Sequence, residues 1–248
     1  MVDLAAYVAL QKRPSGRPVM RQRWRSLLFL HYSAGPDEIQ ALLPAGLTID
    51  TFPDASGIEK AWIGLVPFRM EGVTPVGVPE IPGIHAFPET NVRTYVHRNG
   101  KEPGVWFFSL EASNAIACRV ARRLFHLPYH EAKMTVEENG SLVRYRSTRR
   151  RQGLKCNVDC QVGQSHASPE PGSLEFFLVE RYLLYSARNG ALSTGRVHHR
   201  PYEVSSASAV VLRDDLVRGA GIKAGQVEHV LFSKSVDVDV FRLTRLTS

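Results

Sequence analysis

Residues 89–111, ETNVRTYVHRNGKEPGVWFFSLE, are the most informative stretch about the fold because they combine two strand-like runs with a tight turn between them. Side chains alternate between the two faces of a strand, so the odd-numbered residues from Glu89 to Tyr95 share one face. The pair Asn99-Gly100 tolerates the positive φ angles of a two-residue hairpin turn. The sequence therefore predicts an antiparallel hairpin that joins strands 89–98 and 104–111.

The rest of the chain repeats this pattern. Asn139-Gly140 and Asn189-Gly190 also lie between β-compatible runs and predict two further hairpins. Helices are predicted where apolar spacing and capping residues favour them, over 2–12, 36–43, 113–125 and from Ser173 onward. Further strands are predicted over 24–32, 61–70 and 227–243, and residues 71–88 are predicted to form a long Pro- and Gly-rich loop. The expected fold class is α+β, β-rich, with a large and mainly antiparallel sheet that can close into a barrel.

The totals describe an ordinary folded protein. The 248 residues are 44% hydrophobic and 22% charged, and no repeat or linker divides them, so we expect a single domain over 1–248 with 1–20 as an N-terminal helical extension. No apolar stretch approaches the roughly 20 residues of a membrane helix, and the N-terminus does not resemble a secretory signal. With only three cysteines, an odd number, the prediction is a cytoplasmic protein without membrane association.

The formal net charge of +7 raises the question of nucleic-acid binding. Several arginines are clustered, as a surface that follows phosphates would require. However, no zinc-finger spacing, basic helix with heptads or aromatic RNA-binding signature accompanies them. The sequence therefore predicts no specific nucleic-acid partner and a solvated basic face.

The polar face of strand 89–98 has two interpretations. It is either the solvated face of an antiparallel sheet or the lining of a barrel wide enough to hold a ligand. In the second case Glu89 and Arg93 would have to pair with each other, because an isolated buried charge is costly.

Several stretches together resemble the YqjF-like family of uncharacterised bacterial proteins. They are MRQRW at 20–24, LLPAGL at 42–47, WIGLVPFRM at 62–70, FPETNVRTY at 87–95 and GVWFFSL at 104–110, with further similarity at 127–129, 177–185 and 198–202. That family is similar in turn to acetoacetate decarboxylase. The resemblance implies a closed, mainly antiparallel barrel with a central cavity, and it makes a homo-oligomer an expected state.

The resemblance also indicates which activity is lost. Acetoacetate decarboxylases form a Schiff base with their substrate through one of a pair of lysines that follow a proline after a short helix. Here Pro128 is followed by Tyr129 and His130, and Lys133 is displaced along the strand by about 10 Å or more. The resemblance therefore argues against amine-based decarboxylation. The active-site glutamate is matched by Glu89. The arginine that binds the substrate carboxylate is matched by Arg25, with Arg23 as the alternative.

The expected function is therefore binding of a small organic anion in an internal cavity, with or without turnover. If the protein is an enzyme, we expect general acid–base chemistry on an oxo-acid-like substrate. The alternative is a non-catalytic binding or sensory module. The predicted catalytic residues are Glu89, Tyr129 and His130, and the predicted ligand-binding residues are Arg23, Arg25, Arg69, Arg93 and Lys133.

No cofactor or metal is expected. There is no Gly-rich nucleotide-binding loop. Cys156 and Cys160 are about 13 Å apart on a predicted strand, and the adjacent His198 and His199 would point to opposite sides.

Overall fold

The computed structural model describes residues 2–79, 85–223 and 225–246. Strands dominate it, with short helices between them. The predicted loop at 71–88 is shorter than expected, because one strand continues to Pro75 and the next begins at Phe87. Residues 80–84 of that prediction lie outside the described residues. No helix in the described part of the chain is long and apolar enough to cross a membrane.

The helices and strands follow one another along the chain with short connections. The helices are α1 Leu4–Gln11, α2 Pro36–Gln40, α3 Ala115–Leu124, α4 Leu174–Val179 and α5 Leu216–Gly219. The strands are β1 Met20–Ala34, β2 Thr48–Ile49, β3 Thr51–Pro53, β4 Glu59–Pro75, β5 Phe87–Arg98, β6 Lys101–Ala112, β7 Tyr129–Asn139, β8 Leu142–Arg149, β9 Lys155–Ser165, β10 Leu183–Arg188, β11 Ala191–His198, β12 Ser205–Asp214, β13 His229–Val240 and β14 Thr244–Arg245.

The strands form one mainly antiparallel sheet that is partly closed into rings. Strands β1, β4, β5, β6, β10, β11 and β13 pair in sequence around a ring, and β13 returns to β1. Strands β7, β8, β9 and β12 make a second route from β6 back to β13. In the described residues the parallel pairings are β6 with β7 and β6 with β10. The predicted β-rich α+β fold class is therefore confirmed.

Each predicted Asn-Gly hairpin is present. The pairs β5–β6, β7–β8 and β10–β11 are antiparallel and turn at or next to the Asn-Gly dipeptides. Asn99 has φ 52° and Asn189 has φ 51°, which is the left-handed backbone conformation that this turn chemistry favours. These three turns fix the register of three antiparallel strand pairs in the sheet.

A bulge in β1 determines which side chains point into the ring. Ser26 has φ 50°, and the pairing of β1 with β4 shifts register between Arg25 and Leu30. Before the bulge the even-numbered residue Trp24 faces the interior, and after it the odd-numbered residues Leu27 and Phe29 do so. The bulge therefore exchanges the two faces of the strand.

Helix α3 differs from its prediction in two respects. It begins at Ala115, after the N-cap Asn114, whose side chain accepts hydrogen bonds from the following turn at 3.0 Å, so the predicted span 113–125 starts two residues too early. The apolar stripe that predicted this helix is largely exposed, with Ile116 54% and Leu124 63% accessible.

Candidate ligand-binding site

The odd-numbered residues at the start of β5 line a pocket inside the ring. Glu89, Asn91 and Arg93 are 3%, 5% and 7% exposed, and all three contribute to a pocket of about 160 Å³. The interpretation of this face as a solvated surface is therefore wrong. The alternation predicted from the sequence placed these three groups on one face, and the curvature of the sheet turns that face inward.

The rest of the pocket wall is mostly apolar. Aromatic and aliphatic side chains reach it from β1, β4, β6, β10, β11, β13 and α3. Among the residues that line it are Trp24, Leu27, Phe29, Val66, Phe68, Phe87, Val105, Phe107, Ala117, Val120, Ala121, Leu184, Val197 and Val240. The polar groups of β5 are thus surrounded mainly by apolar side chains, which cannot form hydrogen bonds with them as water would.

Glu89 is hydrogen-bonded to one of the other predicted catalytic residues. The Tyr129 hydroxyl donates to Oε2 of Glu89 at 2.8 Å. Burial raises the pKa of Glu89 to about 8, although this hydrogen bond acts in the opposite direction. The pKa of Tyr129 is raised by burial and by the neighbouring carboxyl group. A carboxyl group that titrates near neutral pH can both give and take a proton.

Arg93 is a buried cation for which the described residues supply no carboxylate. One of its terminal nitrogens donates to the carbonyl oxygen of Leu178 at 3.1 Å, and its Nε has no hydrogen-bond partner. Its guanidinium carbon lies 5.7 Å from the ring centroids of both Phe29 and Tyr95. These ring contacts offset part of the cost of burying the charge, but they do not neutralise it.

A second buried arginine in the pocket wall has a carboxylate as counter-charge, although its Nε and Nη1 have no hydrogen-bond partner. Arg181 forms an ion pair with Asp50 at 3.2 Å, and Asp50 also accepts a 2.6 Å hydrogen bond from the Tyr7 hydroxyl. The guanidinium of Arg181 also lies 4.3 Å from the ring centroid of Phe177. The two arginines therefore differ in charge balance: Asp50 neutralises Arg181, whereas the described residues supply no carboxylate to Arg93.

Glu89 and Arg93 do not pair with each other, so the expected mutual pairing is wrong. They are four residues apart on β5, which corresponds to about 13 Å between their Cα atoms. Asn91 lies between them, and its side-chain oxygen is buried without a hydrogen-bond partner. The pocket therefore has an acid–base end, a cationic end and an unsatisfied acceptor between the two.

The arginines expected from the first strand do not reach this pocket. Arg23 and Arg25 are exposed and line a separate polar cleft on the outer face of the sheet, together with Arg69. Arg23 pairs there with Asp237, while Arg25 and Arg69 pair with Glu71. The expectation that Arg25 and Glu89 hold one ligand is corrected, because alternation before the Ser26 bulge turns these arginines outward.

Gln22 and Trp24 occupy the inward positions that the first-strand arginines were expected to fill. Both line the pocket, and the Trp24 indole nitrogen donates to the side-chain oxygen of Gln22 at 2.8 Å. Sequence reasoning did not identify this pair, because no local pattern distinguished the inward face of β1 from the outward one.

The remaining predicted residues also lie away from Glu89. His130 is adjacent to Tyr129 on β7 and therefore points to the other side of the sheet, where burial and the nearby Arg149 and Arg122 lower its pKa to about 4. Lys133 is exposed on the same strand. Of the eight predicted residues, the structure brings Glu89, Tyr129 and Arg93 into one pocket.

Cys156 and Cys160 are free and buried, and His199 packs at 4.5 Å from the rings of Tyr182 and Tyr202. Within the described residues no group of three or more His, Cys, Asp or Glu side chains is arranged to hold a metal ion.

Comparison of the whole chain with solved structures defines the class of fold. The acetoacetate decarboxylase-like enzyme from Sphingomonas wittichii RW1 superposes with a TM-score of 0.64 at 14% identity, covering 94% of each chain. The enduracididine biosynthesis enzyme MppR complexed with pyruvate has a TM-score of 0.64 at 15% identity, covering 95% of this chain and 93% of its own. The chain has the fold of acetoacetate decarboxylase-like proteins.

The family follows from the sequence itself. The chain belongs to DUF2071, a family described as an uncharacterized conserved protein, whose model matches residues 21–237. It is 35% identical over 227 residues to the uncharacterized protein YqjF of Bacillus subtilis (strain 168), covering 91% of both chains. The resemblance inferred from the motifs is confirmed.

Proposed function

We propose that this protein binds a small organic anion in an internal cavity and exchanges a proton with it through Glu89 and Tyr129. The observation that carries the proposal is the uncompensated guanidinium of Arg93 in the pocket wall. A buried cation without a counter-charge is retained at a cost in stability, and an anionic ligand in the pocket would supply the missing charge.

The acid–base part of the proposal rests on Glu89. Its pKa of about 8 leaves both protonation states accessible near neutral pH. The Glu89 carboxylate would take a proton from the carbon next to a carbonyl group, and the electrons of that C–H bond would form an enolate. Once Glu89 is protonated it no longer requires the hydrogen bond from Tyr129, so the Tyr129 hydroxyl, which donates to Oε2 of Glu89 in the free protein, would turn its proton to the enolate oxygen. Return of the proton from Glu89 to carbon closes the cycle.

The comparison with solved structures supports an oxo acid as the class of ligand, but it does not identify the ligand. MppR, which has the same fold, has been crystallised with pyruvate, a small oxo acid. In this chain no lysine is found among the described residues that line the pocket, so an amine-based Schiff base has no nucleophile there. Proton transfer by a carboxyl group is the chemistry that the pocket's own residues offer.

Hydrogen–deuterium exchange at carbon tests this function. 2-Oxohexanoate in D₂O should lose its C3 proton signals in NMR spectra faster with the protein than without it. The rate should rise with pH and level off above about 8, because Glu89 must be ionised to act as a base. Glu89→Gln and Arg93→Met should abolish the acceleration, while the exposed-arginine control Arg150→Met should retain it.

The same experiment separates the enzyme from a binding protein. If 2-oxohexanoate binds in an Arg93-dependent manner but its exchange is not accelerated, the non-catalytic binding module is the correct function. If it neither binds nor exchanges, the proposed function is refuted for this ligand class.

A further inference from the structure

Resting on the proposed function, we infer that the ligand is a monocarboxylic acid with an apolar body about the size of a benzene ring, and not a small hydrophilic acid. The inference comes from the apolar wall that surrounds the polar face of β5. It concerns the part of the ligand that touches neither Arg93 nor Glu89.

Most of the wall offers no hydrogen-bond partner to a polar ligand body. Trp24, Phe29, Phe68 and Phe107 line the pocket alongside the polar face of β5. A hydroxyl or ammonium group placed against such rings would lose its hydrogen bonds to water without replacement, which costs several kcal/mol on apolar transfer scales. A sugar acid or an amino acid is therefore a poor match.

The unsatisfied polar groups are few and specific. Arg93 requires one anionic group, and the free side-chain oxygen of Asn91 can accept one hydrogen bond. Arg181 requires no second anion, because Asp50 already balances its charge, although its Nε and Nη1 have no hydrogen-bond partner. A single carboxylate thus balances the charge of the pocket, and among the described residues that line it the groups left to hydrogen-bond are confined to Asn91, Arg93 and Arg181.

The size of the pocket sets the size of the body. Its volume of about 160 Å³ is close to that of an engineered apolar cavity of about 150 Å³ that holds benzene. An acid of two or three carbons would leave much of this space unfilled against aromatic walls. A six-carbon chain or a phenyl ring would bury the apolar surface that the wall presents.

Calorimetric titration with acetate, butanoate, hexanoate and benzoate tests the inference. Each buried CH₂ contributes about 0.8 kcal/mol, so affinity should rise about fourfold per carbon and about 200-fold from acetate to hexanoate. Benzoate should bind in the range of hexanoate. Hexanamide should bind much more weakly, because it lacks the charge that Arg93 requires.

A variant of the pocket wall tests where the alkyl chain of the ligand lies. Phe107→Ala enlarges the wall, so its affinity for octanoate relative to hexanoate should increase over that of the wild type. Trp106→Ala is the matched control, because this neighbouring residue packs in a different apolar cluster. Phe107→Leu provides a milder enlargement should the alanine variant fold poorly.

The outcomes distinguish the two proposals. Equal affinity for acetate and hexanoate, with Arg93 still required, would overturn the apolar body and leave the anion site standing. A dependence of affinity on ligand chain length that is unchanged in Phe107→Ala and Phe107→Leu would also overturn the apolar body, because the alkyl chain of the ligand would then lie away from Phe107. No binding of any carboxylate would refute the proposed function itself.

Discussion

Replacing Glu89 with glutamine should make the stability of this protein less sensitive to pH. Burial raises the pKa of Glu89 from its usual 4.5 to about 8 in the folded protein. Between these two values the unfolded chain gives up the proton while the folded protein keeps it, so the unfolding free energy falls as the pH rises. A difference of about 3.5 pKa units corresponds to at most about 5 kcal/mol between pH 4.5 and pH 8.

Glutamine keeps the shape and an acceptor for the Tyr129 hydroxyl but cannot ionise. The measurement is urea denaturation of both proteins at pH 5 and pH 9. Relative to the wild type, Glu89→Gln should gain up to about 4 kcal/mol on going from pH 5 to pH 9, since the titrations of all other groups are common to both proteins.

The control is Glu170→Gln, which removes an exposed carboxylate and changes the net charge equally. It should show no comparable gain. If the stability curves of wild type and Glu89→Gln ran parallel across this pH range, Glu89 would not be a buried acid and the acid–base argument would fail.

Three further predictions follow from the same pocket. Arg93→Met should leave the unfolding free energy unchanged or raise it by up to about 2 kcal/mol, whereas Arg181→Met should lower it by about 3–5 kcal/mol because Asp50 loses its cation. Urea denaturation of both variants measures the difference. Equal destabilisation by the two substitutions would contradict the assignment of Arg93 as a cation without a counter-charge. Tyr129→Phe removes a hydrogen bond that lowers the pKa of Glu89, so the Glu89 titration seen in the pH dependence of stability should move above pH 8. A shift of this titration to lower pH would be inconsistent with the observed contact. Borohydride treatment in the presence of pyruvate should yield no covalent adduct by intact mass spectrometry, since no lysine is found among the described pocket residues, and a stable adduct would overturn the loss of the Schiff-base nucleophile.

The hairpins and the inward group on β5 were predictable because they depend on local information. Asn-Gly turns encode their own backbone conformation, and alternation along a strand assigns Glu89, Asn91 and Arg93 to one face without knowledge of the rest of the sheet. What alternation could not decide was whether this face meets water, because that depends on how the sheet closes. The ring closure joins β11 to β13, at residues 197 and 240, and no short sequence pattern reports such a contact.

The arginines of β1 show where sequence reasoning failed. Whether Arg25 or Trp24 faces inward depends on the bulge at Ser26, which is a serine with a positive φ angle and carries no turn signal. The distinction between Arg93 and Arg181 likewise depends on Asp50, a residue far away in the sequence from its partner. Local sequence patterns identified where the charged residues lie, whereas tertiary contacts determine which of the two arginines has no counter-charge.

A crystal structure with bound 4-bromobenzoate would test the central claim most directly, because the bromine marks the orientation of the ligand unambiguously. We expect the carboxylate within hydrogen-bonding distance of the Arg93 guanidinium and the ring among the aromatic side chains inside the strand ring. A carboxylate bound instead to Arg25 or Arg69 in the outer cleft, with the inner pocket empty, would refute an anion site at Arg93.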